Sequence, residues 1–166
     1  MYGWRVTEVI CDVAQTSDNV VMAKRAATSV RLEVSVAERL ASFADANSGM
    51  SLASAANRLV DEALRLAEHP GIMFRPGPTG RRAALVGGPD VWEVVRAVKS
   101  ARTAAPDLAD DGLLGLVGDN TGTPLRLVGA AVRYFASYPA EVDAEIAAAD
   151  AAEQPWQREH EWLTRH

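Results

Sequence analysis

Side chains that could carry out metal or acid–base chemistry are few in this sequence and lie far apart. The chain has one cysteine, Cys11, and three histidines, His69, His160 and His166. No histidine stands at a zinc-ligand spacing from Cys11, and Asp110-Asp111 fit charge on a loop better than a pair of catalytic acids. The sequence contains neither a P-loop nor a dinucleotide-binding fingerprint. We therefore predict a protein that is not an enzyme and that uses no metal or cofactor.

A glycine-rich turn, Gly87-Gly88-Pro89, precedes a predicted helix and has two interpretations. The exposed amides at a helix start can hold a phosphate. Asp90, however, stands at the cap position with Glu93 three residues later, as in a capping box, and would satisfy the same amides. We favour this structural interpretation.

Charge is distributed unevenly along the 166 residues, whose formal net charge is −5. Residues 69–102 hold six Lys and Arg against two Asp and Glu, whereas residues 103–166 hold four against eleven. The cations of the middle segment form either a solvated face or a second DNA-contacting surface, in which phosphate contacts would dominate. This basic cluster comprises Arg75, Arg81, Arg82, Arg96, Lys99 and Arg102.

The composition also predicts a compartment. A single cysteine excludes an internal disulfide framework and favours the reducing cytoplasm. No apolar run approaches the roughly 18 residues of a membrane span, and the first residues lack the layout of a secretory signal. We predict a cytoplasmic protein with no membrane partner.

The elements that must position any site begin with an alternating segment, residues 28–36. Its apolar side chains are Val30, Leu32, Val34 and Val36, with polar residues between them. This period of two predicts a strand with one dry and one wet face. One strand followed by helices leaves both of its edges unpaired. We therefore expect an obligate homodimer in which two copies pair their strands into a ribbon presented to DNA.

Two helices are predicted after this strand, over residues 37–47 and 52–67. Ser48-Gly49 ends the first helix, and Ser51 is a good N-cap for the second. The second helix carries an apolar stripe that is too wide for a free monomer and fits packing against a second subunit. The stripe consists of Leu52, Ala55, Ala56, Leu59, Val60, Ala63, Leu64 and Ala67.

Residues 24–68 resemble the ribbon-helix-helix family of Arc, MetJ and CopG. The resemblance is carried by Val30–Val34 leading into Ala37–Leu40, and by Met50-Ser51-Leu52 at the second helix. It implies that paired strands enter the major groove, where wet-face side chains contact base edges. It also implies that the start of the second helix receives a phosphate.

The implied contacts fall on specific residues of this chain. The base-contacting candidates are Ser29, Arg31, Glu33 and Ser35. The phosphate-contacting candidates are Met50 and Ser51, with Lys24 and Arg25 as a basic arm. Glu33 departs from a purely cationic reader: phosphates would repel it, although it could accept a hydrogen bond from cytosine N4. A dimerisation module that has lost DNA binding is the alternative.

The second half is predicted to fold as a hairpin followed by helices. Short strands are expected at 72–75 and 82–86, and a helix from Val91 to about Ala101. A short helix or turn at 113–117 precedes a helix that Thr123 caps, with Pro124 at its first position, ending near 138. A last, acidic helix is expected to run from about 140 to 153.

This second half is similar to a small family of uncharacterised VapB-like antitoxin domains found beside PIN-type ribonuclease toxins. The similarity is carried by His69–Ile72, Gly80–Ala83, Gly88–Val94, Ala130–Phe135 and Tyr138–Asp143. It implies a compact helix-turn-helix-like domain with a β-hairpin, and a nuclease toxin as a partner.

Further contacts are predicted at the hairpin and in the tail. Arg81 and Arg82, beside the hairpin tip, are candidate phosphate contacts. Trp156 and Trp162, among charges after the last helix, are either anchors for a partner or parts of a disordered tail. The acidic segment could also occupy and block the basic or metal-binding groove of a nuclease.

The sequence therefore predicts a mainly α protein with four segments. Residues 1–23 are a flexible extension, with Met22 as an alternative natural start; 24–68 are the ribbon-helix-helix domain; 69–153 are the helix-turn-helix-like domain; 154–166 are a tail. The predicted function is a homodimeric DNA-binding repressor, the antitoxin of a toxin–antitoxin pair that represses its own operon. A stand-alone transcriptional regulator without a toxin is the alternative, and a dimerisation adaptor that binds no DNA is a third.

Overall fold

The computed structural model describes residues 29–47, 49–78 and 80–163, with only the backbone of 154–163. In these residues the protein is mainly α-helical, with six helices and one two-stranded antiparallel β-hairpin, which confirms the mainly α part of the predicted fold class. The chain divides between Glu68 and His69 into two compact units, which we call the N-terminal and the C-terminal unit. None of the described helices is long and apolar enough to cross a lipid bilayer.

The described part of the N-terminal unit is an extended segment followed by two helices. Helix α1 spans Val34–Ala46 and helix α2 spans Leu52–Glu68. The strand predicted for 28–36 is wrong in its second half, because Glu33 is the N-cap of α1 and its carbonyl accepts hydrogen bonds from the amides of Val36 and Ala37. Residues 29–33 are not paired into a strand in the single chain. A lone strand has no partner for its amides, whereas a helix satisfies them locally.

A β-hairpin opens the C-terminal unit. Strand β1 (Ile72–Gly77) pairs with β2 (Gly80–Leu85), with Ile72 opposite Leu85 and Gly77 opposite Gly80. Gly80 has a φ of +125°, which favours glycine at this tight connection. The predicted strands at 72–75 and 82–86 are confirmed in position.

Four helices follow the hairpin: α3 (Val91–Ala104), α4 (Asp110–Thr121), α5 (Leu125–Ser137) and α6 (Pro139–Leu163). Their apolar faces and β2 bury one core, because every third or fourth residue of each helix is aliphatic or aromatic. The main buried residues are Leu85, Val91, Val94, Val95, Val98, Leu113, Val117, Val128, Tyr134, Phe135 and Val142.

Three predicted boundaries in the C-terminal unit are wrong. Helix α4 runs from Asp110 to Thr121 and is longer than the short helix or turn predicted at 113–117. Thr123 does not cap α5: the N-cap is Pro124, and the Thr123 hydroxyl has no hydrogen-bond partner among the described residues. Helix α6 continues to Leu163, so the tail predicted from residue 154 is helical as far as the structure describes it. The alanine-rich sequence before residue 153 has a high helix propensity that favours this extension.

Candidate nucleic-acid interface

The four candidate base readers lie at the start of the described chain. Ser29, Arg31 and Glu33 alternate along the extended segment, and all three are exposed. Arg31 has no ion-pair or hydrogen-bond partner among the described residues, so its guanidinium is available to a ligand. Ser35 lies in the first turn of α1, where its carbonyl accepts a hydrogen bond from Arg39 Nε at 3.2 Å. The structure therefore places Ser35 on a helix, apart from the extended run.

The apolar side chains that alternate with these readers are also exposed. Val30 is 70% exposed and Val34 is 75% exposed. On α2 the stripe predicted to pack against a second subunit is similarly open, with Val60 and Leu64 each 58% exposed. Among the described residues 29–68, the buried side chains are Ala44, Ala55 and Glu62. Two alanines are too little apolar area to hold two helices together.

A groove of about 410 Å³ runs between α1 and α2. Its walls are almost entirely apolar; the lining residues are Leu32, Val36, Arg39, Leu40, Phe43, Ala56, Leu59 and Val60. Together with the exposed Val30 and Val34, this groove gives the described part of the N-terminal unit an apolar surface of the kind that often marks an interaction site.

The start of α2 has the capped structure that the sequence predicts, with Ser51 as the N-cap. Ser51 Oγ accepts a hydrogen bond from the Ser54 amide at 3.1 Å, which confirms Ser51 as the cap. Ser54 Oγ lies 2.9 Å from Ser51 Oγ. Met50 and Ser51 follow Gly49, whose φ of +65° turns the chain into the helix. The amides of the first residues of α2 have no partner within the helix, because they precede its first helical hydrogen bond. These residues are exposed.

The C-terminal unit holds most of its basic cluster in internal contacts. Arg96 Nη1 lies 3.0 Å from both Asp150 Oδ1 and Glu153 Oε1 on α6. The hydrogen bond to Asp150 makes the largest contribution to raising the pKa of Arg96, and the hydrogen bond to Glu153 makes the next largest. Lys99 Nζ lies 2.6 Å from Asp143 Oδ1. The acidic helix therefore neutralises much of the basic helix.

Asp90 organises the remaining cations of the hairpin. It is 1% exposed, and Arg75 and Arg82, paired across the hairpin, both form ion pairs with its carboxylate. Trp92 Nε1 donates to Asp90 Oδ2 at 3.2 Å. Glu93 accepts the Asp90 amide at 2.9 Å, and the predicted capping box is present. A buried carboxylate with several donors is well compensated, so these contacts anchor the hairpin to α3.

The candidate phosphate contacts Arg81 and Arg82 are thus both engaged within the unit. Arg82 binds Asp90, and Arg81 Nη2 donates to the Phe74 carbonyl at 3.1 Å. A phosphate would have to compete with these groups. The sequence does not predict that Arg75 and Arg82 share Asp90, because these two arginines become neighbours only through the strand register.

Several predicted contacts lie outside the described residues. These are the basic arm, Lys24 and Arg25, the extension at 1–23 with Met22, and the side chains of Trp156 and Trp162. The described residues contain no group of three or more side chains that could hold a metal ion.

One acidic side chain in the C-terminal unit is poorly compensated. Burial, with smaller contributions from Glu141 and Asp90, raises the pKa of Glu145 to about 7, and Arg82 lowers it only in part. Glu145 Oε2 is buried without a hydrogen-bond partner among the described residues, whereas neighbouring Glu141 accepts the Tyr134 hydroxyl at 2.8 Å. Folding therefore favours the protonated form of Glu145.

Glu145→Gln is expected to stabilise the C-terminal unit at pH 8 and to change little at pH 4. The folded pKa lies above the ordinary 4.5, so the contribution of Glu145 to stability is greatest below pH 4.5 and is lost as the pH rises to about 7. The group is only partly buried, and solvent screening limits the effect to about 1–2 kcal/mol. Urea unfolding at both pH values measures it, with Asp107→Asn in an exposed loop as the control. An equal pH dependence in wild type and Glu145→Gln would contradict the assignment.

The chain was compared with known proteins at three levels. It matches no protein-family model, and neither the curated proteins nor the solved structures contain a match to it. A functional proposal therefore rests on the residues and their geometry.

Proposed function

We propose that this protein is a sequence-specific DNA-binding homodimer that represses transcription in the cytoplasm. In this proposal the N-terminal unit is a ribbon-helix-helix fold completed by a second copy. The C-terminal unit is a helix-turn-helix-like domain, in which Gly122–Pro124 connects α4 to α5. The observation that carries the proposal is the exposure of the large apolar side chains between residues 30 and 66. In the extended segment these side chains alternate with exposed polar side chains, which form a polar edge.

A second copy of the chain would provide both the backbone partners and the apolar contacts that the described N-terminal unit lacks. Antiparallel pairing of residues 29–33 with the same residues of another chain would satisfy their backbone groups. The same association would bury Val30, Leu32 and the open stripe of α2, in a unit whose described residues 29–68 bury few apolar side chains. An obligate homodimer of this type has no stable folded monomer.

The polar edge of such a ribbon is suited to reading DNA. Arg31 is exposed and has no side-chain partner among the described residues, and a guanidinium pairs bidentately with guanine in the major groove. The two-fold ribbon would present two copies of Arg31, and the capped start of α2 at Ser51 would hold a backbone phosphate on each side.

We further propose that the repressor is an antitoxin whose partner is a PIN-type ribonuclease. The support is the resemblance of residues 69–150 to VapB-like domains and the two tryptophans, Trp156 and Trp162, that follow Glu153. The acidic side chains Asp143, Asp150 and Glu153 are bound to Arg96 and Lys99, so we assign the toxin contact to the segment that carries the tryptophans. A chain truncated after Glu153 should lose toxin binding; full retention would overturn this role.

The experiment for the repressor itself is a gel shift on DNA from upstream of the protein's own gene. We expect a specific complex that weakens steeply between about 50 and 200 mM salt. A nuclease-like reading frame beside the gene, whose product co-purifies with this chain, would support the antitoxin role. A specific shift without such a neighbour would favour the stand-alone regulator, and no shift on any duplex would overturn the repressor proposal.

A further inference from the structure

Two described cations of the C-terminal unit lack the internal contacts that its other described cations make. Six of its eight described Lys and Arg side chains are held internally, by carboxylates or by backbone carbonyls. These six are Arg75, Arg81, Arg82, Arg96, Lys99 and Arg102. Arg126 and Arg133 have no such partner among the described residues, and both are exposed.

Both of these arginines lie on α5, seven residues apart. Seven residues are close to two helical turns, so the two side chains share one face. Gly129 lies between them, and a Cβ placed there would be 3.3 Å from Arg133 Nη1. The Arg133 side chain therefore lies back along the helix towards its N-terminus. Helix α5 contains no acidic residue, which leaves this face uniformly positive.

A groove of about 420 Å³ lies at the start of the same helix. Its lining combines the two glycine-rich turns with Arg126 and contains no acidic side chain; the polar and glycine members are Gly87, Gly88, Thr121, Gly122, Thr123 and Arg126. A neighbouring groove of about 470 Å³, on Gly115, Gly118 and Leu125, includes Asp119. The two grooves share Gly122, Thr123 and Pro124, and of these two the first has a cation and no acidic side chain in its lining, so it is the better suited to an anion.

The backbone at this groove offers donors. The first amides bonded within α5 are those of Leu127 and Val128, both to the Pro124 carbonyl, so the amides of Leu125 and Arg126 precede the first helical hydrogen bond. Of these two residues Arg126 lines this groove, whereas Leu125 lines the neighbouring one. The helix dipole adds partial positive charge at the same end. Two carbonyls near the end of α4 have partners of their own: Val117 O accepts a hydrogen bond from the Thr121 hydroxyl at 2.8 Å, and Gly118 O accepts one from the Thr123 amide at 3.0 Å.

Thr123 provides an independent sign of a ligand. It lines the groove, it is only 4% exposed, and its hydroxyl has no hydrogen-bond partner among the described residues. An unsatisfied buried hydroxyl is costly to a folded chain. A phosphate oxygen in the groove would supply the acceptor that the chain does not.

We propose that this groove and the positive face of α5 bind the phosphate backbone of duplex DNA. The inference rests on the proposed DNA-binding function and assigns the second contact to α5 rather than to the hairpin. Because phosphate contacts carry no base information, this surface adds affinity without adding specificity. The N-terminal unit would read the sequence, and α5 would hold the backbone.

The test is a fluorescence anisotropy titration of the full chain, from about 50 to 200 mM salt, on the upstream duplex and on a scrambled duplex of equal length. Arg126→Ala and Arg133→Ala should each weaken binding to both duplexes by the same factor. Each should also reduce the slope of log affinity against log salt by about 1 per chain. Thr123→Val, which keeps the side-chain shape, should weaken both affinities by about tenfold.

The matched control is Arg96→Ala, which removes the same charge from a side chain held by Asp150 and Glu153. It should leave the salt slope unchanged. If Arg126→Ala and Arg133→Ala match Arg96→Ala while the wild type binds its duplex specifically, the α5 surface is refuted and the repressor proposal stands. A wild-type chain that binds neither duplex overturns both.

Discussion

Replacing Arg31 with alanine is expected to abolish specific binding to the upstream duplex while leaving the dimer intact. Arg31 is exposed, and no described residue engages its side chain, so its loss removes no contact from the folded unit. A bidentate arginine–guanine pair discriminates by about 1–3 kcal/mol, and a homodimer carries two copies, so the expected loss is about 2–6 kcal/mol. A gel shift measures the loss, and light scattering measures the assembly state of the same sample.

Arg58→Ala is the matched control for this variant. Arg58 is an exposed arginine on α2, outside the polar edge, and its removal takes away the same charge. Its affinity should stay within about threefold of wild type. If Arg31→Ala binds the duplex as tightly as Arg58→Ala does, the polar edge does not read DNA.

Replacing Leu64 with glutamate is expected to prevent the N-terminal unit from associating and, with that, from folding. Leu64 is 58% exposed in the single chain, and burial of a leucine contributes about 1.5–3 kcal/mol. A glutamate there would have to be buried without a partner in each copy, at a further cost of several kcal/mol. Because Ala44 and Ala55 are the only fully buried apolar side chains among the described residues of this unit, losing the partner should also lose the helices of residues 34–68.

Asn57→Glu places the same charge on an exposed polar position of the same helix. This control should remain dimeric and retain its helix content by circular dichroism. In Leu64→Glu the C-terminal unit, which has its own core, should still unfold cooperatively. A Leu64→Glu chain that stays dimeric at micromolar concentration would show that the α2 stripe is not the subunit interface.

Local signals predicted much of the fold. The period-3.6 apolar stripe located α2 to within a residue of its end, Ser51 was identified as its cap, and Asp90 with Glu93 gave the start of α3. The turn residues between Ile72 and Val86 located the hairpin. These features depend on neighbours within a few residues, which the sequence displays directly.

The errors arise where a long-range contact or a missing partner decides the conformation. Alternation at 34–36 indicated a strand, but without a second edge the amides of Val36 and Ala37 bond to Glu33 in a helical turn. Thr123 has the side chain of a cap, yet Pro124 takes that position and leaves the hydroxyl unsatisfied.

The candidate site was harder to predict than the fold. Residue counts showed a basic middle and an acidic end, but not that Lys99 meets Asp143, 44 residues away, or that Arg96 meets Asp150. Pairing of these charges within the unit changes which arginines are available to a ligand. In the sequence Arg126 stands with Thr121 and Thr123 near the start of a helix that could read DNA, but the apolar density of this helix favours a core role. Arg133 gives no signal of its own, and the two arginines become the leading candidates only because the other cations are paired.

If two copies of this chain form one DNA-binding unit, light scattering of the wild type should detect a species of twice the 17.8 kDa chain mass and no monomer at micromolar concentration. With the upstream duplex added, the same measurement should detect a complex that contains an even number of chains. A stable 17.8 kDa monomer that forms no complex with the duplex would contradict this assembly.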